Sequence, residues 1–232
     1  MTGGPVEQLR GGLVVSCQAA PGHPLHDPHV MGLLARCAQL GGAVAVRING
    51  PDDVRVVKAL VDIPVIGLHK LRRDGARDLI TPGIAYAVDL VEAGADILAV
   101  EATSEAPGDT SDLIRRIRAD LGIPVMADVS TLDEALLAWD AGAELIGTTL
   151  SGYTAHTARD DTAPDVGLVV DLSAKGMRTV AEGRYATVHD VEAAFNAGAF
   201  AVVVGTAITD PVALTRRFAR VTPHAIAHGD SP

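Results

Sequence analysis

Apolar residues in this chain come in short unbroken runs rather than in alternation. Eight such runs occur, at residues 13–18, 43–47, 64–70, 96–101, 124–128, 144–149, 178–183 and 201–205. Runs of this kind, rich in Val and Ile, predict strands buried on both faces. Between them the period becomes helical. Over 112–121, Leu113, Ile114, Ile117 and Leu121 fall on one face. Over 132–139, Leu132, Ala135, Leu136 and Trp139 do the same, which also predicts Trp139 to be core against the sheet. Ser130-Thr131 before Asp133-Glu134, and Thr187 before Asp190, are helix-start signals. Gly42-Ala43, Gly94-Ala95, Gly142-Ala143 and Gly198-Ala199 each separate a helical stretch from a run, and recur roughly every 50 residues. Glycine at that place predicts a left-handed helix stop. Ile63-Pro64-Val65 and Ile123-Pro124-Val125 lead into two other runs. Eight βα units of this length predict a compact α/β fold, the (β/α)8 TIM barrel. The alternative is a doubly wound open sheet, but no Gly-x-Gly-x-x-Gly follows the first run.

Composition narrows the function. With 232 residues, 48% hydrophobic and 21% charged, the chain has a core and is not disordered. It reads as one barrel domain, 1–232, with a core over about 12–220 and a polar tail at 224–232. A net charge of −10 and only 3% aromatic residues argue against a nucleic-acid partner. No apolar run reaches the ~18 residues of a spanning helix and no leader pattern opens the chain, so no membrane partner and a cytoplasmic location are expected. Cys17 and Cys37 form no disulfide framework and are expected as small core residues. His23, His26 and His29 have the spacing of one helical turn, but Pro24 and Pro28 interrupt that helix, so no metal site is expected. Asp160-Asp161 reads as a solvated loop.

Barrel chemistry collects at the C-terminal ends of the strands. That rule selects Gln18, Arg47, Lys70, Glu101, Asp128, Thr148, Thr149, Glu182 and Gly205. Packing does not call for Arg, Lys, Asp and two Glu at buried strand ends, where charges must be paired. The plain alternative is a structural layer of ion pairs capping the barrel. The last two strands end in Glu182-Gly183-Arg184 and Gly205-Thr206. Glycine amides and a helix start at these two loops suit a phosphate, though they also suit tight turns.

The sequence resembles the bacterial N-acetylmannosamine-6-phosphate 2-epimerases of sialic-acid catabolism. The resemblance rests on residues 15–19 and 24–26, on Gly41-Gly42-Ala43-Val44 with Arg47 and Asn49-Gly50, and on 64–67 with Lys70. It continues through Ile80-Thr81-Pro82, Met126-Ala127-Asp128, residues 146–154, 181–184 and 203–209. These phrases run in order from about Gly12 to Phe218, and the Gly-Thr-Thr-Leu-x-Gly-Tyr-Thr of 147–154 is the most specific. The resemblance implies a ribulose-phosphate-binding-type barrel and an isomerase interconverting N-acetylmannosamine 6-phosphate and N-acetylglucosamine 6-phosphate. It implies a small-molecule sugar phosphate as partner and no cofactor or metal. It makes Lys70 the acid/base at C2 and Glu182 its carboxylate partner. Gln18, Arg47 and Asp128 hold the sugar, with Glu101, Thr148 and Tyr153 beside them. Gly183, Arg184, Gly205 and Thr206 hold the phosphate.

Departures from the family pattern carry expectations of their own. Asp210 stands where the resemblance leads one to expect arginine, and a carboxylate near the phosphate repels it, so Arg184 or Arg216 is the expected replacement charge. Glu101 is one methylene longer than the family acid. His69 precedes Lys70 and either tunes it or caps the strand. Tyr153 either lines the site or packs its loop. Another phosphosugar or an unphosphorylated sugar remains an alternative substrate, and a silent sugar-phosphate-binding barrel a further one. Barrels of this size commonly form homodimers.

Overall fold

The computed structural model describes residues 3–73, 75–159 and 163–223. Asp160-Asp161 and the tail lie outside the described residues. Eight parallel strands close into a barrel: β1 (Gly12–Cys17), β2 (Ala45–Asn49), β3 (Val65–Leu68), β6 (Ile97–Glu101), β7 (Val125–Asp128), β8 (Leu145–Gly147), β9 (Thr179–Ala181) and β10 (Ala201–Val204). Each pairs with its neighbours in this order, and β10 closes on β1. Two further strands, β4 (Lys70–Arg73) and β5 (Ala76–Ile80), form an antiparallel hairpin between β3 and β6. The sequence reading missed this hairpin, although Asp74-Gly75 is the dipeptide that favours such turns.

A short α1 (Pro5–Gln8) precedes the barrel, and the crossovers are α2 (Pro28–Leu40), α3 (Pro51–Lys58), α4 (Ile84–Glu92), α5 (Thr110–Arg116), α6 (Leu132–Asp140), α7 (Val166–Ala174) and α8 (Val188–Asn196). Single-turn α9 (Thr206–Thr209) and α10 (Pro211–Ala219) are the last elements among the described residues. The expected helix over 112–121 begins at Thr110, and its last turn, Ile117–Leu121, widens to a π-helix. Ile114 and Ile117 are its buried positions. Thr131 and Thr187 head capping boxes with Glu134 and Asp190. Gly42, Gly94, Gly142 and Gly198 hold φ between +92° and +102°, so the four repeated glycines stop α2, α4, α6 and α8 in a conformation that a side chain strains.

Alternate strand residues fill two cores. Val14, Ala45, Ile66, Leu68, Ile97, Ala99, Met126, Leu145, Val180, Ala201 and Val203 share the barrel interior. Their neighbours, among them Val15, Cys17, Val46, Ile48, Leu98, Val100, Ala127 and Ile146, pack against the helices. Two expectations are corrected here. Cys37 is exposed, because α2 turns Met31 and Ala35 inward. Leu136 is 37% exposed, because α6 buries Ala135 and Ala138 instead; Trp139 is partly buried against the outer core. Among the described residues, no helix is long and apolar enough to cross a membrane.

Candidate active site

Strand parity builds the site. Side chains alternate across a strand, so the parity that points inward at Val14 continues to Ser16 and Gln18. By the same count Ala45 leads to Arg47, Leu68 to Lys70, Met126 to Asp128, Leu145 to Thr149, Val180 to Glu182 and Val203 to Gly205. All except Asp128 line one open cavity of about 710 Å³ at this end of the barrel. Tyr153, Gly183, Arg184 and Thr206 line it as well.

At its floor Arg47 is 2% exposed and fully committed to charge. Its guanidinium forms an ion pair with Asp128, which is wholly buried, and donates to Glu182 Oε1 at 2.8 Å. Burial opposes the Arg47 charge, but the two carboxylates outweigh it and its pKa rises. Burial pushes the Asp128 carboxyl up to about 7, with Glu182 adding to the push while Arg47 and the Thr149 hydroxyl resist it. Thr149 Oγ1 lies 2.7 Å from Asp128 Oδ1 and 2.9 Å from Glu182 Oε2. A hydroxyl has one proton to give, so a second proton on this trio completes both bonds.

Lys70 begins β4, just above this floor, with its amide donating to Asn49 Oδ1 at 2.8 Å. Its side chain stays open to the cavity, yet the surrounding walls strip away bulk water. That burial lowers the amine's pKa from 10.5, and Arg47 lowers it further, against Glu182, Asp78 and Asp128. Gln18 donates to Ser16 Oγ at 2.8 Å. Gln18 Oε1 and Arg47 Nε are buried without a hydrogen-bond partner among the described residues, as polar groups facing a ligand are.

The ends of β9 and β10 form the opposite wall. Gly183 and Arg184 follow one another at φ +100° and +64°, a turn that only glycine makes without strain at its first position. The Arg184 guanidinium stacks 5.1 Å from the Tyr153 ring centre and donates Nε to the Ala163 carbonyl at 2.7 Å. Gly205 approaches β1 so closely that a Cβ there would lie 3.3 Å from Ser16 Cβ. Asp210 lines this end, but its carboxylate caps α10 by accepting from the Ala213 amide at 3.0 Å and faces His23 Nε2 at 3.4 Å. The Ala213 amide, and after it His23, hold the Asp210 carboxyl below the usual range, against a small opposing effect of burial. Asp210, Ala213, Leu214 and Arg217 share the cavity face of α10. Of the two cations expected here, Arg184 lines the cavity and Arg216 does not; Arg217 lines it instead.

Three other expected residues sit elsewhere. Thr148 has the outward parity and is fully buried; its hydroxyl bonds the Glu182 carbonyl and amide, at 2.8 and 3.0 Å, and so braces that residue from behind. Glu101 has the inward parity, but the hairpin covers it and Arg77 takes its carboxylate. His69 points out to the helix layer, edge-on to Tyr86 at 4.8 Å, and does not face the Lys70 amine. His26 Nδ1 bonds the Ala19 carbonyl at 3.0 Å while His23 turns to Asp210, and among the described residues no group of His, Cys, Asp or Glu is placed to hold a metal ion.

The chain is similar in sequence and in fold to known proteins. A protein from Caldanaerobacter subterraneus subsp. tengcongensis described as "Putative N-acetylmannosamine-6-phosphate 2-epimerase" is 45% identical over 218 residues, 92% of each chain. One from Cutibacterium acnes with the same description is 43% identical over 92% of this chain and 94% of that one. The solved N-acetylmannosamine-6-phosphate 2-epimerase of Clostridium perfringens superposes with a TM-score of 0.88 at 34% identity, covering 94% of this chain and 96% of that one. A thiamine phosphate pyrophosphorylase from Pyrococcus furiosus, at a TM-score of 0.61 and 16% identity, shares the fold alone. Residues 31–224 match the family described as "Putative N-acetylmannosamine-6-phosphate epimerase", and the chain belongs to that family.

Proposed function

We propose that this protein interconverts N-acetylmannosamine 6-phosphate and N-acetylglucosamine 6-phosphate by moving one proton at C2. The observation that carries the reading is Lys70, an amine with a lowered pKa facing a cavity whose floor is Arg47 held between two carboxylates. In the open-chain sugar, C2–H is α to the C1 aldehyde. Neutral Lys70 takes the proton, the C2–H electron pair becomes the C1–C2 double bond, and the carbonyl pair moves to O1. Arg47, whose Nε is unpartnered among the described residues, stabilises the charge on O1. The planar intermediate turns about C2–C3, and the Lys70 ammonium returns the proton to the other face. Glu182 moves the hydroxyl proton in ring opening and orients the intermediate. Gln18 holds the sugar and its acetamido group, while Asp128, buried beneath the cavity surface, holds Arg47 in place. Gly183, Arg184, Gly205 and Thr206 form the phosphate end, with Arg217 as a second cation. Glu101 and Thr148, away from the cavity surface, support it from behind.

Proton NMR in D2O with N-acetylmannosamine 6-phosphate tests the reading. Loss of the C2 proton with growth of the gluco epimer is expected, and Lys70→Ala abolishes both while sugar-phosphate binding survives. Exchange that persists without Lys70 refutes its role. The Asp210 carboxylate at the phosphate end favours a second reading, the unphosphorylated sugar, and that sugar run alongside separates the two. A sugar phosphate is too charged to cross a bilayer unaided, which suits a cytoplasmic enzyme. We also propose a homodimer. Phe218 and Val221, 71% and 75% exposed, offer apolar surface for it, and sedimentation should give twice the chain mass of 23.9 kDa.

A further inference from the structure

Arg77 stands on β5, the second strand of the hairpin that begins at Lys70, and the chemistry above uses none of its contacts. Its guanidinium donates Nη1 and Nη2 to both oxygens of Glu101, at 3.1 and 2.5 Å. The Glu101 side chain is 1% exposed and also accepts from the Thr103 hydroxyl at 2.7 Å and the Ile80 amide at 3.2 Å. Arg77 Nη2 reaches on to Glu105 at 3.4 Å, and Glu105 accepts from the Ala155 amide at 2.5 Å, two residues past Tyr153. Arg73 in turn donates twice to the Arg77 carbonyl, at 3.0 and 2.9 Å. The hairpin needs such a clamp. It is a separate two-stranded sheet, all four β4 residues are exposed, and an isolated hairpin is marginally stable at best. Leu79 and Ile80 bury its base, and His69 and Thr81 close it, but only Glu101 ties its outer half to a barrel strand among the described contacts.

We propose that Arg77 is a positioning residue for Lys70: its forked grip on Glu101 fixes the hairpin against the barrel rim, and through Glu105 it couples that hairpin to the Tyr153 loop. The inference rests on the epimerase reading for its kinetic consequence. The extra methylene of Glu101 supplies reach, and the fork demands arginine, since lysine offers one point of contact. A displacement of a reacting group by about 1 Å costs on the order of 100-fold in rate.

The test uses Arg77→Met, Glu101→Leu, their double variant, and Arg77→Lys as a milder change should the first fold poorly. Turnover of N-acetylmannosamine 6-phosphate is followed in D2O. Separately, the pH midpoint of Lys70 labelling by trinitrobenzenesulfonate is read from peptide masses. The single variants should lose roughly 30- to 100-fold in kcat with KM within about threefold, and the double variant should be no slower than the worse single. Arg77→Lys should recover little. The Lys70 labelling midpoint should move up toward that of a free lysine as the hairpin leaves the wall. Unchanged kcat overturns the proposal. A rise in KM alone overturns it too, because Arg77 then binds substrate directly. Losses that add in the double variant with an unmoved midpoint do the same. If the unaltered protein turns over no sugar, the epimerase reading falls, and the labelling midpoint still decides whether Arg77 positions Lys70.

Discussion

Replacing Arg47 by Met tests the electrostatic floor of the site with a pH signature. Removing one partner of a buried ion pair costs about 3–5 kcal/mol, because the remaining charge is stranded. Here Asp128 is wholly buried, and its carboxyl is pushed up to about 7 even with Arg47 present. A carboxyl raised in the folded state binds a proton that the unfolded chain has already released. Its contribution to stability therefore falls as pH rises from about 4 to about 7, and levels off once the native group ionises. Without Arg47 ionisation moves to higher pH, so the fall continues. Between pH 7 and pH 8.5 the variant then loses a further 1.36 kcal/mol per unit, or about 2 kcal/mol, that the wild type does not lose. Relief of the repulsion between Arg47 and the Lys70 ammonium acts in the same direction, since it helps the variant most at low pH. Thermal unfolding of both proteins at pH 6 and pH 8.5 is the assay. At roughly 2–4 °C per kcal/mol for a chain of this size, the gap in Tm should widen by about 4–8 °C at the higher pH. A gap that is the same at both pH values refutes the assignment of a titrating, charge-compensated Asp128.

Three further outcomes follow from the same geometry. The value of kcat/KM should rise with pH as Lys70 loses its proton, with a midpoint below the 10.5 of an ordinary lysine, and Glu182→Gln should lower that midpoint by removing the carboxylate that opposes the shift most; pH–rate profiles measure both. Gly147→Ala would place a Cβ 2.9 Å from Asp128 Oδ1 and 3.0 Å from Thr149 Oγ1, so turnover should drop at least tenfold while circular dichroism keeps the barrel signature. Arg217→Met should raise KM for the phosphorylated sugar about tenfold, a loss near 1.4 kcal/mol, and leave the free sugar unaffected in parallel steady-state assays.

The barrel was legible because its signals are local and repeated. Eight apolar runs gave eight strands, and the glycine that recurs before four of them is the left-handed stop of a helix. The floor of the site was legible for a related reason. A strand has period two, so once the barrel fixes which parity of a run faces inward, the next inward residue lies at the cavity end. The strand-end rule names Gln18, Arg47, Lys70, Asp128 and Glu182, and all five have that inward parity. At the end of β8 the strand-end rule names Thr148 and Thr149 together; parity turns Thr149 to the cavity and Thr148 away from it. Applied to His69, it turns that ring outward to Tyr86 and answers whether it touches the base.

What parity does not report is what covers a strand end. Glu101 has the inward phase, and only the hairpin after β3, a tertiary feature, places Arg77 on it and keeps it from the cavity. Of the two cations expected at the far end of the cavity, Arg184 lines it and Arg216 does not, for a different reason. Position-by-position comparison asks whether residue 210 is an arginine, and it is an aspartate. Helical period asks which cations share that face, and residue 217 lies two turns along the same face, beside Ala213 and Leu214. Asp210 then takes the role aspartate fills best at a helix start, accepting the Ala213 amide, while a cation reaches the cavity from further along α10. An arginine absent at one sequence position is therefore compatible with a cationic cavity end, because what recognises an anion is charge in a volume of space, and a helix face delivers it from either residue.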